Sequence, residues 1–464
     1  MNREFFFMNQ RLQEFYRQIR GKRITVLGIG ISNTPVIKLL AAHGAEVTAR
    51  DKKEEAALKE TAAELRRCGV KLVLGEDYLE KIEADLILKT PGIRPDLPQL
   101  QRAVERGAVL TSEMELFFEL APCRLIAVTG SDGKSTTTTL ISEILKAGGY
   151  RVHLGGNIGR PLLPEIEEIA PEDLCVLELS SFQLMNMTES PDIAVITNVS
   201  PNHLDYHTSM EEYIEAKKQI FRGGRCKKLV TNADNAITRA MAEEFTGSVR
   251  LFSGQAELPQ GYCFRDNYIW KDGKKVLCRS DLLLAGRHNV ENFMAAMAAT
   301  EGLCGISACS KVAATFGGVP HRQELVRERN GVRYYNDSIA SSPTRTRACF
   351  DSFPEKLILI AGGYDKKIPF DDFGPDILAH VKHLILMGDT SAKILAAVQA
   401  AEGFAKSDIL ISQVDSMEQA VRTAAASAKP GDVVALSPAC ASFDKFKNFE
   451  ERGNCFKAAV NALS

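Results

Sequence analysis

The sequence predicts an α/β protein of three domains, each built on a sheet of mainly parallel strands. Three times the chain runs through a short β-branched segment, reaches small residues and continues with helical periodicity, at RITVLGIGIS, RLIAVTGSDGKS and KLILIAGGYDKK. Runs such as DLCVLELSS, DIAVITNVS and GDVVALSPA are almost entirely apolar, as expected for parallel strands covered on both faces. Because ligands of such sheets gather at the carboxyl ends of the strands, the residues after each run are the first candidates for function.

Breaker residues mark two domain boundaries, one at Ala121–Pro122 and one between Gly318 and Pro320. We therefore expect a Rossmann-like domain over 1–121, a central phosphate-loop ATPase domain with a parallel sheet over 122–319, and a second Rossmann-like α/β domain over 320–464. Before the first strand, four apolar residues at helical spacing predict an amphipathic helix docked on the first domain: Leu12, Phe15, Tyr16 and Ile19.

Composition limits the possible partners. The 57 basic and 59 acidic residues give a net charge of −2, which removes the basic field that nucleic-acid binding requires. No apolar run approaches the ~18 residues of a membrane span, and charges interrupt the N-terminal Phe cluster too early for a signal peptide. The eleven cysteines contain no C-x-x-C pair and fit reduced thiols. We expect a cytoplasmic monomer that acts on small molecules.

The segment AVTGSDGKSTTTTL has the strand, turn and helix start of a phosphate loop, although Val128 stands where the common pattern has its first glycine. Such a loop needs backbone N–H groups at a helix N-terminus, a lysine to balance charge and a hydroxyl for Mg²⁺, and none of these requires the outer glycine. The alternative is an ordinary capped helix with a surface lysine. The residues predicted to contact ATP here are Gly130, Ser131, Asp132, Gly133, Lys134, Ser135 and Thr136.

Two further candidates follow predicted strands of the same domain. Glu178 ends the strand of LELSSFQL, and His203 lies just beyond the strand of TNVSPNHLDYH, so both are expected near the phosphate loop. A carboxylate and a neutral imidazole beside a triphosphate can hold Mg²⁺, but Mg²⁺ prefers oxygen ligands, and a hydrogen-bonded loop histidine is the alternative for His203.

The segment TSMEEYIEAKKQIF predicts a helix with Thr208 or Ser209 as its N-cap. Its apolar pairs leave either Lys217 or Lys218 on the inner face, and periodicity does not decide between the two lysines.

Together, G-[ST]-x-G-K-[ST], LELSSFQL and N-x-x-x-x-HLD resemble the Mur ligase family, the ATP-dependent amide-forming enzymes of peptidoglycan precursor synthesis; the loop is also similar to that of folylpolyglutamate synthetases. In the family, the lysine of A-K-x-x-I-[FY] is carbamylated, which implies a carbamate on Lys217. The resemblance implies two Mg²⁺ ions held through Ser135, Glu178, His203 and Lys217, with Lys134, Glu178, His203 and Lys217 as the catalytic set. It also implies ATP contacts from Asn289 and Asn292, and from Arg322 and Asp337 of the C-terminal domain.

The first domain permits two interpretations. Gly28, Gly30 and a strand-end Asp51 form a partial dinucleotide fingerprint, with Asn33 in place of the third small residue, so an NAD-dependent oxidoreductase is one alternative. The family resemblance implies instead that this domain binds a UDP-linked substrate, UDP-N-acetylmuramoyl-L-alanine. The substrate contacts that it implies are Ile31, Ser32, Asp51, Thr90, Gly92, Asn157 and Ser180.

The C-terminal stretch LSPACASFDKFKNFEERG resembles the branch of the family that adds D-glutamate, and GGYDKK and NDSIAS agree with it. The resemblance implies D-glutamate contacts from Ser341, Lys366, Ser442 and the N–H of Phe449, which are cationic and neutral donors suited to two carboxylates. One position departs from many relatives, since Ile339 replaces a lysine. The predicted reaction activates the L-alanyl carboxylate as an acyl phosphate, and the alternatives are a folylpolyglutamate synthetase and a non-catalytic nucleotide-binding relative.

Overall fold

The computed structural model describes residues 10–30, 32–201, 206–284, 286–350, 352–365 and 369–463, with Ala348 described in its backbone alone. The chain divides into two compact units, Met1–Thr315 and Phe316–Ser464. The first unit contains two sheets and the second contains one. All three sheets are flanked by helices, in line with the predicted α/β class.

The first sheet has five parallel strands in the order β3-β2-β1-β4-β5, the arrangement of a Rossmann-like half. Its strands are β1 (Arg23–Leu27), β2 (Glu46–Asp51), β3 (Lys71–Leu74), β4 (Leu86–Lys89) and β5 (Val109–Thr111). Its helices are α1 (Gln10–Ile19), α2 (Asn33–Ala42), α3 (Lys59–Arg67), α4 (Pro98–Glu105) and α5 (Glu113–Leu120). The predicted N-terminal helix is α1, which buries Leu12, Tyr16 and Ile19.

The second sheet has nine strands in the order β14-β13-β12-β11-β10-β9-β6-β8-β7. Its strands are β6 (Arg124–Thr129), β7 (Val152–Gly156), β8 (Leu174–Glu178), β9 (Ile193–Ile196), β10 (Lys228–Asn232), β11 (Ser248–Ser253), β12 (Tyr262–Arg265), β13 (Tyr268–Lys271) and β14 (Lys274–Cys278). Its helices are α6 (Lys134–Ala147), α7 (Ser181–Leu184), α8 (Met210–Arg222), α9 (Ala236–Glu244), α10 (Arg287–Thr300) and α11 (Ile306–Thr315).

The sheet was predicted to be parallel, but β13 and β14 pair antiparallel at one edge. Two two-residue turns explain this difference, because Asp266–Asn267 and Asp272–Gly273 have positive φ angles of 51° and 60°, and of 48° and 77°. Such turns match the twist of a hairpin and direct each strand back along its neighbour.

One hydrophobic core runs through the first unit without a break, from Leu12 on α1 through Phe117 on α5 to Met241 on α9. The two sheets of this unit therefore share a core. The predicted boundary at 121 stays a prediction.

The second unit contains a six-stranded sheet in the order β15-β16-β20-β17-β18-β19, with an antiparallel hairpin at one edge and parallel pairing elsewhere. Its strands are β15 (Glu324–Arg329), β16 (Val332–Asn336), β17 (Leu357–Ala361), β18 (Val381–Leu386), β19 (Leu410–Gln413) and β20 (Val433–Leu436). Its helices are α12 (Pro343–Phe350), α13 (Phe373–His380), α14 (Ser391–Ala400), α15 (Met417–Ser427) and α16 (Phe449–Asn461).

Candidate active site

The phosphate-loop segment follows the central strand β6 and leads directly into α6. In the parallel register Val128 pairs with Glu178 on β8, and Thr129 pairs with Ile196 on β9. The carboxyl ends of three neighbouring strands therefore meet beside the loop, as expected for a ligand site in an α/β sheet.

Two glycines allow the backbone of the phosphate loop to turn tightly. Gly130 has φ +150°, and a Cβ there would overlap the hydroxyl of Thr197. Gly133 has φ +77° and is the N-cap of α6, where a Cβ would overlap the amide oxygen of Asn292. Val128, by contrast, is fully buried within the strand. The loop is therefore a shortened one whose tight turn depends on Gly130 and Gly133.

The loop is held from one side by the segment after β9. The N–H groups of Ser131 and Asp132 donate to the backbone and side-chain oxygens of Asn198, each at 2.9 Å. The Thr197 hydroxyl donates to the Asp132 carbonyl at 2.6 Å. Lys134 Nζ folds over the loop and donates to the carbonyls of Gly130 at 3.1 Å and Ser131 at 2.8 Å. A cation and an uncapped helix N-terminus thus lie together, which is the chemistry that binds phosphate.

Two buried oxygens beside the loop have no hydrogen-bond partner among the described residues, namely Ser135 Oγ and Glu178 Oε2. The other carboxylate oxygen of Glu178 accepts from Asn157 Nδ2 at 2.9 Å. A hydroxyl and a carboxylate oxygen that are buried and unpaired fit the preference of Mg²⁺ for oxygen ligands. In the described part of the chain, no group of three or more His, Cys, Asp or Glu side chains could hold a metal by itself.

The structure resolves the choice between the two lysines of α8. Lys217 is 1% exposed, and its Nζ donates to the Gly130 carbonyl at 2.8 Å and lies 3.4 Å from Thr129 Oγ1. Lys218 instead forms surface ion pairs with Glu244 at 2.6 Å and Glu215 at 2.9 Å. Burial, together with the charge of Lys134, holds the pKa of Lys217 well below its usual range. Lys217 is thus the lysine that faces the phosphate loop, and its amine is set up to be neutral.

Helix α8 also places a residue at the loop that the sequence did not single out. The Tyr213 hydroxyl lies 3.0 Å from Ser131 Oγ, and Lys217 Nζ is 4.6 Å from the centre of the Tyr213 ring. Tyr213 resembles an ordinary core position in the apolar pattern of the helix, so periodicity alone conceals its polar contact.

Two of the predicted ATP contacts, Asn289 and Asn292, lie in the first turns of α10. Asn292 accepts from the Thr137 hydroxyl at 3.3 Å and donates to Asn289 Oδ1 at 3.1 Å. This pair places Asn292 against the start of α6, one turn from Lys134. The side chain of Thr136 is half-buried in the same turn.

In the first sheet, Asp51 and Asn33 both stabilise the glycine turn after β1. Asp51 Oδ2 accepts from the N–H of Ile29 at 2.6 Å, and its other oxygen accepts from the N–H of Lys53 at 2.8 Å. Asn33 Nδ2 donates to the carbonyls of Leu27 and Gly28, which explains an asparagine where the dinucleotide fingerprint has a small residue. Asp51 therefore has a structural role whether or not it contacts substrate.

The other predicted substrate residues lie beside two different sheets. Thr90 follows β4 of the first sheet and is half-buried, whereas Gly92 after the same strand and Ser32 before α2 are exposed. Asn157 follows β7, and Ser180 caps α7 by accepting from the Gln183 N–H at 3.3 Å. The predictions for Ile31, His203 and Lys366 fall outside the described residues.

Within the second unit, Arg452 on α16 joins segments that are distant in sequence. Its guanidinium is 1% exposed and donates to Ser338 Oγ at 3.0 Å, to the Ser338 carbonyl at 2.8 Å and to the Ala441 carbonyl at 3.0 Å. Burial lowers its pKa to about 10. The sequence analysis missed this residue, because an arginine in the charged run FEERG is typical of a helix surface.

Arg452 thereby brings three of the predicted D-glutamate residues to one end of the third sheet. Ser341 lies three residues after Ser338, Ser442 follows Ala441, and Phe449 begins α16 with its backbone carbonyl accepting from Ser338 Oγ at 2.8 Å. The backbone carbonyl of Ile339 accepts from Arg345 Nη1 at 3.2 Å.

The two residues predicted to reach ATP from this unit differ in burial. Arg322 is exposed in the turn before β15. Asp337 is buried, which raises its pKa to about 7, although hydrogen bonds from Ser437 Oγ at 2.8 Å and the Gln323 N–H at 3.2 Å oppose that shift.

Comparisons with known proteins agree along the whole chain. Family models match three consecutive segments: a Mur ligase MurD-like N-terminal domain over residues 22–112, a Mur ligase middle domain over 128–300, and a Mur ligase glutamate ligase domain over 321–440. The chain is 53% identical to the UDP-N-acetylmuramoylalanine–D-glutamate ligase of Acetivibrio thermocellus, over 98% of this chain and 100% of that protein. It is 49% identical to the protein of the same name from Clostridium tetani, with the same coverage.

The chain belongs to the Mur ligase family. The predicted α/β fold with three family domains and the predicted ligase class are therefore confirmed. This Mur ligase also resembles the solved UDP-N-acetylmuramate–alanine ligase of Thermotoga maritima in fold, with a TM-score of 0.56, 19% identity, and coverage of 95% of this chain and 99% of that one. A solved UDP-N-acetylmuramoyl-L-alanyl-D-glutamate–2,6-diaminopimelate ligase gives a TM-score of 0.54 at 19% identity, covering 96% and 93%. None of the described helices of this Mur ligase has the length and apolar character needed to cross a bilayer.

Proposed function

We propose that this Mur ligase joins D-glutamate to UDP-N-acetylmuramoyl-L-alanine in peptidoglycan precursor synthesis, converting ATP to ADP and phosphate. The observation that carries the proposal is the identity of about half of all positions, over nearly the full chain, to relatives named for this reaction. The chemistry at the ends of the second sheet agrees with it, because phosphoryl transfer needs positioned cations and little covalent chemistry from the protein.

In the first step, an oxygen of the L-alanyl carboxylate attacks the γ-phosphorus of ATP, and the bond from that phosphorus to the β,γ-bridging oxygen breaks. ADP leaves and the carboxylate becomes an acyl phosphate. Lys134, which already lies over the loop carbonyls, balances the charge on the transferring group. In the second step, the D-glutamate amine attacks the acyl carbon, a tetrahedral intermediate forms, and phosphate leaves as the amide forms and the amine loses a proton.

Two Mg²⁺ ions are part of the proposal. Ser135 Oγ and Glu178 Oε2, both buried and unpaired, would hold one ion, and His203 with a carbamate on Lys217 would help to hold the other. Mg²⁺, when bound, neutralises charge on the phosphates. Neutral Lys217 can take up CO₂ with loss of one proton, forming an N–C bond and a carbamate anion. A protonated amine cannot ligate a metal, whereas the oxygen atoms of a carbamate can.

The acceptor site is proposed at the end of the third sheet, with Ser341, Lys366, Ser442 and the Phe449 N–H as donors. Two carboxylates held at a fixed separation, with the α-amine facing the acyl phosphate, can satisfy these donors in only one enantiomer. The UDP substrate would contact the first-domain residues, with Asn157 and Ser180 near its sugar and peptide arm. A monomeric cytoplasmic enzyme is proposed with this activity.

A direct test measures ADP release and product mass with ATP, Mg²⁺, UDP-N-acetylmuramoyl-L-alanine and one amino acid at a time. We expect turnover with D-glutamate, and at least ~10-fold less with L-glutamate, D-aspartate or diaminopimelate, because each misplaced charge-assisted bond costs ~1.5–3 kcal/mol. Equal use of L-glutamate, or activity on a folate acceptor, would instead support a folylpolyglutamate synthetase.

A further inference from the structure

Tyr206 connects two parts of the first unit that are predicted to bind different ligands. Its hydroxyl donates to the carbonyl of Pro91 at 3.0 Å, and its own carbonyl accepts from Arg94 Nη1 at 2.7 Å. Pro91 and Arg94 belong to the segment after β4 that includes the proposed UDP-substrate residues Thr90 and Gly92. The segment after β4 therefore binds Tyr206 at both its side chain and its backbone.

Arg94 also reaches the start of α8, the helix that carries Lys217. Its Nη2 lies 2.9 Å from Glu212 Oε1 and its Nη1 lies 3.3 Å from Glu212 Oε2. Glu212 Oε2 in turn accepts from the Thr208 N–H at 2.6 Å, just before the N-cap Ser209. One guanidinium thus fixes the first turn of α8 from the first sheet, while Lys217 fixes a later turn to the phosphate loop.

The Arg94–Glu212 pair differs from ordinary surface ion pairs. The side chains are only 22% and 25% exposed, and two N–H groups of the arginine engage the two carboxylate oxygens. The hydrogen bonds from Arg94 lower the pKa of Glu212 to about 2. Arg94 also forms an ion pair with Asp96 at 2.8 Å within its own segment. The guanidinium is therefore held by two carboxylates, one from its own segment and one from α8. Such a bidentate, partly buried pair fixes geometry in a way that exposed pairs do not.

We propose, resting on the proposed function, that Arg94 is a positioning residue that couples the UDP-substrate segment to α8, so that the UDP substrate and Mg²⁺-nucleotide each strengthen the binding of the other. The nucleotide would contact the phosphate loop, to which Lys217 of α8 is bonded at 2.8 Å, and the UDP substrate would contact the segment that contains Arg94. Because Arg94, Tyr206 and Glu212 join this segment to α8, either ligand would hold both elements in the arrangement that the other ligand binds.

Calorimetric titration of UDP-N-acetylmuramoyl-L-alanine, with and without Mg²⁺ and a non-hydrolysable ATP analogue, measures the coupling as a ratio of two dissociation constants. The wild type is expected to give a ratio of at least about 5. Arg94→Met should bring the ratio close to 1 while changing the affinity for the nucleotide analogue alone by less than about twofold, since the hydrogen bonds of Arg94 go to Asp96, Tyr206 and Glu212 and not to the loop itself.

Arg222→Met is the matched control. It removes an arginine of α8, the helix that carries Glu212, and the ion pair of Arg222 with Glu215, at 2.6 Å, lies outside the Arg94 network. This variant should keep the wild-type ratio. Two further variants should each lower the ratio: Glu212→Gln, which retains an oxygen acceptor, and Tyr206→Phe. They test the coupling if Arg94→Met does not fold. A wild-type ratio of 1, or an unchanged ratio in these folded variants, would overturn the proposal. D-glutamate-dependent ADP release by the wild type is measured separately, so that failure of the proposed function can be distinguished from failure of the coupling.

Discussion

Two buried basic side chains, Lys217 beside the phosphate loop and Arg452 at the end of the third sheet, are accommodated without a carboxylate partner in different ways. Each is 1% exposed, and neither forms an ion pair with a carboxylate in the part of the chain that the structure describes. Lys217 has one short hydrogen bond to a carbonyl and a pKa well below its usual range, so it can give up its proton. Arg452 has three hydrogen bonds and a pKa of about 10, so it keeps its charge at neutral pH.

The difference follows from the chemistry of the side chains. An ammonium that loses its proton becomes a nucleophile, whereas a guanidinium stays charged and offers a rigid fork of donors. We therefore expect the buried amine of Lys217 on α8 to be open to modification, whereas Arg452 on α16 is a fixed cation that joins three segments. Replacing each residue should have opposite consequences for stability and activity.

The largest effect on folding is expected from Arg452→Met. The substitution leaves the carbonyls of Ser338 and Ala441 buried without donors, and we expect a loss of about 3 kcal/mol or more in the free energy of unfolding. Lys217→Met removes one hydrogen bond from a neutral amine and should change that free energy by less than about 1 kcal/mol. Urea unfolding monitored by circular dichroism measures both. Equal losses in the two variants would contradict the distinction.

The largest effect on catalysis is expected at Lys217. Lys217→Ala should lower turnover by a factor on the order of 10² or more, because a site that holds charge near the transferring phosphoryl group is lost. Added formate or acetate should restore part of the activity by replacing the carbamate anion. Lys218→Ala provides the control, since its side chain forms surface ion pairs with Glu244 and Glu215. A Lys217→Ala variant that formate and acetate do not rescue, or an equal loss of turnover in both variants, would argue against the assigned role of Lys217.

A second buried lysine, Lys89 at the end of β4, extends the comparison to pH dependence. It is 4% exposed, and burial lowers its pKa from 10.5 to about 8. Between these values the unfolded chain holds a proton that the folded chain lacks, so the free energy of unfolding should rise with pH across this window. At pH 7 the buried charge should cost about 2–3 kcal/mol, which Lys89→Met would recover. The free energy of unfolding of the wild type and of Lys89→Met, measured at pH 7 and pH 10, tests this prediction. The same change with pH in both proteins would contradict it.

The smallest effect is expected at Ser135, whose hydroxyl is buried without a partner among the described residues. In the absence of Mg²⁺, Ser135→Ala should stabilise the fold by about 1 kcal/mol, because an unsatisfied polar group is removed. Turnover with Mg²⁺ and ATP should fall at the same time. Thr139→Val is a suitable comparison, because the Thr139 hydroxyl donates to the Ser135 carbonyl at 2.8 Å. If Ser135→Ala is less stable than the wild type in the absence of Mg²⁺, the hydroxyl stabilises the fold itself and is not explained by binding a metal ion.

The sequence predicted features that depend on local pattern. The strand, turn and helix of the phosphate loop, the position of Glu178 at a strand end and the amphipathic helix α1 all follow from residues adjacent in the chain. The antiparallel edge of the second sheet also has a local signal, because the dipeptides Asp266–Asn267 and Asp272–Gly273 are typical of two-residue hairpin turns.

Features that depend on distant contacts could not be predicted in this way. The choice between Lys217 and Lys218 is made by the packing of α8 against β6, which helical periodicity leaves open. Arg452 is buried because segments about 110 residues apart meet around it, with Ser338 as one partner. The contact between Arg94 and Glu212 likewise joins elements separated by 118 residues.

We propose that the buried amine of Lys217, in its neutral form, takes up CO₂ and becomes a carbamate. The most direct measurement is a carbon-13 NMR spectrum of the folded protein equilibrated with ¹³C-bicarbonate and Mg²⁺-nucleotide. The account predicts a carbamate signal in the wild type and in Lys218→Ala, and its absence from Lys217→Ala. A spectrum without this signal in the wild type, or one that keeps it in Lys217→Ala, would contradict the claim.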